Sequence, residues 1–137
     1  MRRGEERGSV TVWLLAASFG MTLVIGLAVD LGGLRHAQQR AHDLAAQAAR
    51  SGGQQIEAAP AIEGRYVRID PAAARAAATQ YLRAAGVEGD VAVTGGETIT
   101  VQVTATYTPV FLGFLGDRTV SGEASARVVR SVGGAER

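Results

Sequence analysis

The chain contains no cysteine. That absence removes disulfide staples, thiolate zinc sites and cysteine nucleophiles together. It contains no lysine either: all 14 basic residues are arginine, and with 18 glycines and abundant alanine this reads as the coding bias of a GC-rich genome. The net charge of +1 leaves no electrostatic footprint for nucleic acid. Histidine is limited to His36 and His42. Six residues apart on a helix they point away from each other, which speaks for a solvated face and against a shared metal. The acids are scattered, with no pair at persuasive catalytic spacing. Gly95-Gly96 and Gly113…Gly116 lack the context of a phosphate loop, and no signature surrounds a Ser or Thr nucleophile. The expectation is a non-enzymatic protein: no catalytic residues, no cofactor, no metal and no small-molecule substrate.

What the chain does have is one long apolar block. Ser9 to Val29 is a run of 21 residues without a charge. As a helix it spans roughly 30 Å, the thickness of a bilayer's hydrocarbon core. Trp13 lies near one end, where an indole suits the membrane interface. Arg7 and Asp30 bound the block, and Asp30 reads as a boundary charge facing water. A chain of 137 residues allows one small domain plus an anchor, too little to bury such a helix on all sides. A removable signal peptide is the alternative, because Gly26-Leu27-Ala28 offers small residues for cleavage after Ala28. Arg2, Arg3 and Arg7 precede the block and Arg35 and Arg40 follow it, so charge alone sets orientation weakly. Small residues recur four apart at Ala16 and Gly20, at Thr22 and Gly26, and at Ala28 and Gly32. They are candidate helix-packing positions in lipid, weighed equally against chance in an Ala/Gly-rich chain.

Beyond the block, Leu34, Ala37, Ala41, Leu44, Ala45 and Ala48 form one helical stripe opposite Arg35, Gln39, His42, Asp43 and Arg50. Gly32-Gly33 is expected to interrupt this helix as a hinge or kink, and Ser51-Gly52-Gly53 to end it. Residues 54–69 read as irregular, with Tyr66 to Ile69 a short extended piece. Asp70-Pro71 is a strong helix start. That helix runs to about Ala85 before Gly86, with Ala74, Ala78, Tyr81, Leu82 and Ala85 inside. Val91 to Thr94, the Gly95-Gly96 turn and Thr98 to Tyr107 make a hairpin. In its second strand Ile99, Val101, Val103, Ala105 and Tyr107 share a face. A last strand from about Thr119 to Arg130 turns Val120, Ala124, Ala126 and Val128 inward. The predicted class is α+β: a long N-terminal transmembrane helix continuing outside the membrane, then a second helix packed on a small antiparallel β-sheet.

Between the two long strands lies the densest apolar cluster outside the block: Val110, Phe111, Leu112, Phe114 and Leu115. Pro109 ends the ladder, and Gly113 and Gly116 favour a turn. Two readings stand, a lid on the small core or an exposed loop that contacts a partner or the bilayer surface; the contact loop is the working hypothesis.

The N-terminal third resembles the TadE/TadG-like proteins of the tight-adherence (Flp-type) pilus machinery. The likeness rests on Arg7-Gly8-Ser9-Val10-Thr11-Val12 leading into the block, on Ala28-Val29-Asp30-Leu31-Gly32, and on the helix from Arg40 to Ala49. It covers roughly residues 7–55. The resemblance implies a minor-pilin-like or assembly role, a cytoplasmic N-terminus and an extracytoplasmic domain. It also makes Gly8 a candidate processing site, but Trp13 stands where prepilin-like members carry a Glu, so the signal is incomplete and the permanently anchored TadG type fits better. The expected organisation is a short cytoplasmic segment 1–8, a transmembrane helix 9–29, a juxtamembrane helix 30–53, a small extracytoplasmic α+β domain 54–130 and a disordered tail 131–137. The expected location is the cell membrane, single-pass, with the bilayer and other pilus or secretion-system membrane subunits as partners. The alternatives are an exported binding domain released after Ala28 and a small envelope enzyme.

Overall fold

A computed structural model of the chain describes residues 6–55 and 69–127. Helix α1 runs Glu6–Gly53, 48 residues or about 72 Å at the α-helical rise. Helix α2 spans Pro71–Ala84, followed by strands β1 (Glu88–Thr94), β2 (Thr98–Tyr107) and β3 (Arg118–Arg127), with a 3₁₀ turn at Gly113–Leu115 between the last two. The strands form one antiparallel sheet in the order β1-β2-β3. The α+β class is as expected.

Helix α2 starts where the sequence says it should. The Asp70 carboxylate accepts from the N–H groups of Ala72 and Ala73 at 2.9 and 3.0 Å, satisfying two donors of the first turn, and Pro71 supplies a helical φ without a donor. Ala85 caps the other end, and Gly86 follows at φ +72°, a left-handed conformation suited to glycine. Ala74, Ala78 and Leu82 are buried and Tyr81 is half-buried, its hydroxyl donating to the Gln47 side chain of α1. Ala85 is exposed, against expectation, because the helix ends one residue earlier and Ala85 is already in its cap.

The sheet buries one face. Ile99, Val101 and Val103 of β2 are fully buried, while Gln102, Thr104 and Thr106 point to solvent. On β3, Val120 and Gly122 are buried and Ala124 and Ala126 half-buried; Val128 to Arg130, the expected end of this strand, lie outside the described residues, as do the 131–137 tail and most of the irregular 54–69 segment. Ile69, the described end of that segment, is fully buried and donates its N–H to the Gly96 carbonyl at 2.8 Å.

Two helices, not α2 alone, cover the sheet: α1 lies over β2 and β3, and α2 over β1 and beside α1. Small residues make that possible. Ala41, Ala45, Ala48 and Ala49 are all buried, so the axis of α1 comes close to the strands. At Gly122 a Cβ would strike the α1 backbone itself, at Ala41 and His42. The core is therefore a thin layer of Ile, Leu and Val from β2 and α2 pressed against alanines of α1.

Helix α1 also differs from expectation at Gly32-Gly33. It continues through this pair unbroken. The absence of a side chain at Gly33 serves packing instead of bending: a Cβ there would collide with the Tyr107 phenol. A glycine in a helix interior costs roughly 1 kcal/mol relative to alanine, offset here by the close approach of β2.

Gly122→Val forces extra volume between two backbones, where neither side chain nor rotamer can yield. The expected loss is at the upper end of, or beyond, the about 1–3 kcal/mol typical of overpacking, read as a lowered thermal midpoint of the full chain in detergent. An unchanged melt would show that α1 does not sit on β3.

Candidate contact site at the end of the apolar block

The loop from Pro109 to Asp117 does not lie over the sheet. It leaves β2, reaches α1 and returns to β3, its base closed by Thr108 donating its hydroxyl to Asp117 at 2.7 Å. Its anchor is Asp30. Val110 donates its N–H to Oδ1 at 2.7 Å, Leu112 to Oδ2 at 2.7 Å, and Phe111 to both oxygens at 3.1 Å. Three consecutive backbone N–H groups thus converge on one carboxylate, a concave anion site built by the loop backbone. Asp30 is only 5% exposed and, among the described residues, is the buried charged side chain of this fold. The expectation that it faces water is corrected: it faces the loop, because α1 turns the face bearing Gly26, Asp30, Gly33 and Leu34 toward the domain. Loss of water around the carboxyl opposes its ionisation, and the donors Leu112, Phe111 and Val110 outweigh this, so its pKa falls below the ordinary aspartate value.

Gly26, one turn toward the N-terminus from Asp30, is buried under Phe111; a Cβ there would come within 2.8 Å of the ring. Leu112 is half-buried in a cleft of about 280 Å³ whose apolar lining is Leu27, Leu31, Leu34, Tyr107, Pro109 and Leu115, with the charged groups of Asp30 and Arg118 also lining it. Much of the loop's apolar surface nonetheless stays open: Val110, Phe111, Phe114 and Leu115 are 74, 49, 81 and 58% exposed. They continue an apolar surface made by α1, whose large side chains from Val10 to Leu31 are also open. That helix is long and apolar enough to cross a membrane.

Phe111 of the expected contact loop therefore packs on Gly26, one of the candidate helix-packing positions, with Val110 and Leu112 tied to Asp30 one turn away. Ala16, Gly20 and Thr22 are exposed and remote from the loop, and Thr22 returns its hydroxyl to the Ser18 carbonyl at 2.9 Å. Gly8 and Trp13 are exposed near the start of the helix. His36 and His42 are exposed on α1, and the described residues hold no group of three His, Cys, Asp or Glu able to share a metal ion. Sequence reasoning missed Asp30. Its signal was present in retrospect: a single acid ends the apolar block, and Pro109 with Gly113 and Gly116 leaves a run of backbone donors without a ladder partner.

Asp30→Asn keeps one acceptor oxygen and sets an NH₂ donor against the loop's N–H groups. We expect rapid amide hydrogen exchange at Val110, Phe111 and Leu112 with the sheet amides of β2 still protected. Because the folded pKa of Asp30 is depressed, its contribution is complete above the unfolded value and disappears as pH falls through the folded one. Acidification should therefore release the same three amides in the parent and change nothing further in Asp30→Asn. Protection that is equal in both proteins at neutral pH would remove Asp30 from this role.

Residues 8–55 match the family model described as "Putative Flp pilus-assembly TadE/G-like". No curated protein and no solved structure matches the chain. The matched residues are helix α1 and its exit, including Gly26 and Asp30, while α2 and the sheet lie beyond them. Over residues 8–55, its long N-terminal helix and exit, the chain is thus similar to the TadE/G-like family that its sequence resembles.

Proposed function

We propose that this protein is a membrane-anchored, non-enzymatic component of a Flp/Tad-type pilus or a related secretion apparatus. The observation that carries the reading is the open apolar surface of α1 within the family-matched residues: its large apolar side chains from Val10 to Leu31 stand about half or more exposed. In water such a surface would drive aggregation; around a helix crossing a bilayer it meets acyl chains or other helices. The N-terminus is cytoplasmic, Ser9 to Val29 crosses the membrane, and the domain lies outside.

Within the bilayer the faces divide. Gly26 is already covered by Phe111 of the same chain. Ala16 and Gly20 remain open, so neighbouring pilus subunits pack there, where small residues let helices approach closely. The protein acts through such contacts and through its domain.

Carbonate extraction should leave the full chain in the membrane pellet, and protease added to intact spheroplasts should degrade residues beyond Asp30. Release by carbonate, or a protected domain, argues decisively for another topology.

Processing gives a second check. Prepilin peptidase should cut poorly after Gly8, because Trp13 holds no carboxylate; intact mass should show the uncut N-terminus, and Trp13→Glu should increase cleavage. A mature chain beginning at Ser9 in the parent would sink the anchored reading in favour of a processed pilin.

A further inference from the structure

We infer that the Pro109–Gly116 loop is a lipid-seated wedge: Asp30 holds it against α1 so that Phe111, Phe114 and Leu115 enter the bilayer interface on the side where the helix emerges. The inference rests on the reading that Ser9–Val29 crosses the membrane.

The helix sets the depth. Phe111 packs on Gly26, and Gly26 lies inside the uncharged block, four residues or about 6 Å along the axis from Asp30. A side chain in contact with Gly26 shares its level, where the acyl chains begin. The domain is thus not carried above the membrane on a stalk; its loop reaches down beside the anchor.

The loop's backbone suits that position. Non-helical backbone at membrane depth requires its donors to be satisfied within the protein. Asp30 accepts the N–H groups of Val110, Phe111 and Leu112. Leu115 and Gly116 donate to the carbonyls of Leu112 and Gly113 at 2.9 and 3.0 Å, and Pro109 has no N–H to place. Five of the seven N–H groups from Val110 to Gly116 are thus satisfied within the protein, those of Gly113 and Phe114 excepted, while the apolar side chains turn outward, the reverse of an ordinary aqueous loop. Phe114 at 81% and Val110 at 74% exposure have no place in a lid over the core.

The chemistry of the neighbouring cleft matches an amphiphile. Leu27, Leu31, Leu112 and Leu115 line it together with Arg118 and with Asp30, whose two oxygens are already engaged by the loop N–H groups. An acyl chain fits the leucines, and an anionic headgroup phosphate fits the Arg118 guanidinium. The occupant is therefore phospholipid, not a protein surface, and the shared depth with Gly26 is what favours it.

The test uses the full chain in vesicles of phosphatidylcholine with a minority of phosphatidylglycerol. In a Trp13→Phe background, Phe114→Trp places a lone indole on the loop, since the chain has one Trp. We expect blue-shifted emission, strong quenching by acyl-brominated phosphatidylcholine and protection from aqueous iodide. Iodide quenching without bromolipid quenching overturns the inference. Protection from both quenchers also overturns it, and assigns the loop to a protein contact, such as a second copy. The parent chain separates the two readings: Trp13 untouched by bromolipid means the helix does not cross the bilayer, whereas quenched Trp13 beside an iodide-accessible loop rejects the wedge alone. Adding Asp30→Ala to the indole-bearing chain should red-shift its emission and raise iodide quenching. An unchanged spectrum in a variant of unchanged helical circular dichroism removes Asp30 as the holding residue.

Discussion

The seating of the 109–117 loop on α1 depends on one carboxylate. Asp30 sits on a helix whose preceding 21 residues carry no charge, and it is removed from water by a loop 80 residues further along the chain. An isolated charge in that position is costly, and a run of three unpaired backbone N–H groups is costly too. Each is the solution to the other. The pairing also fixes geometry, because two oxygens shared among Val110, Phe111 and Leu112 leave the loop one orientation, with Phe111 over Gly26 and the remaining apolar side chains outward.

The second constraint is smallness along one face of α1. Gly26, Gly33, Ala41, Ala45, Ala48, Ala49 and Gly52 are turned toward the domain, and the glycines give their space to something else: the ring of Phe111 at Gly26, the phenol of Tyr107 at Gly33, the side chain of Ile99 at Gly52. Alanine and glycine bury little apolar area of their own. Their contribution is to let larger side chains and even the backbone of β3 reach the helix. One helix consequently does two jobs along its length, with bulky side chains outward through the apolar block and a recessed inward face from Gly26 onward.

This explains which parts of the structure were legible from sequence. Local signals held: Asp70-Pro71 caps α2, Gly95-Gly96 turns β1 into β2 at φ +65° and +71°, and the alternation in Thr98 to Tyr107 separates core from solvent. Each of these is decided by neighbours a few residues away. Apart from Ala85, which falls in the cap of a helix that ends one residue early, the misreadings involve partners distant in sequence. Gly32-Gly33 looked like a hinge because helix propensity counts a missing side chain as a weakness, whereas Tyr107 needs that space. Asp30 looked solvated because nothing near it in sequence can satisfy it. The apolar composition of 110–115 pointed to a contact loop, but not to the acid that would hold it.

The geometry also bears on release of the domain after Ala28. Ala28 lies within unbroken α1, between Gly26 under Phe111 and Asp30 beneath the loop backbone. A peptidase needs an extended backbone, so cleavage there first has to unwind the turn that holds the loop. Afterwards Gly26 and Leu27 are gone, Phe111 loses the surface it packs on, and Asp30 is left as the second residue of the new chain, after Val29, where fraying exposes it to water. The domain as folded is thus built around an intact helix: the turn that would be cut is the turn on which its loop is assembled.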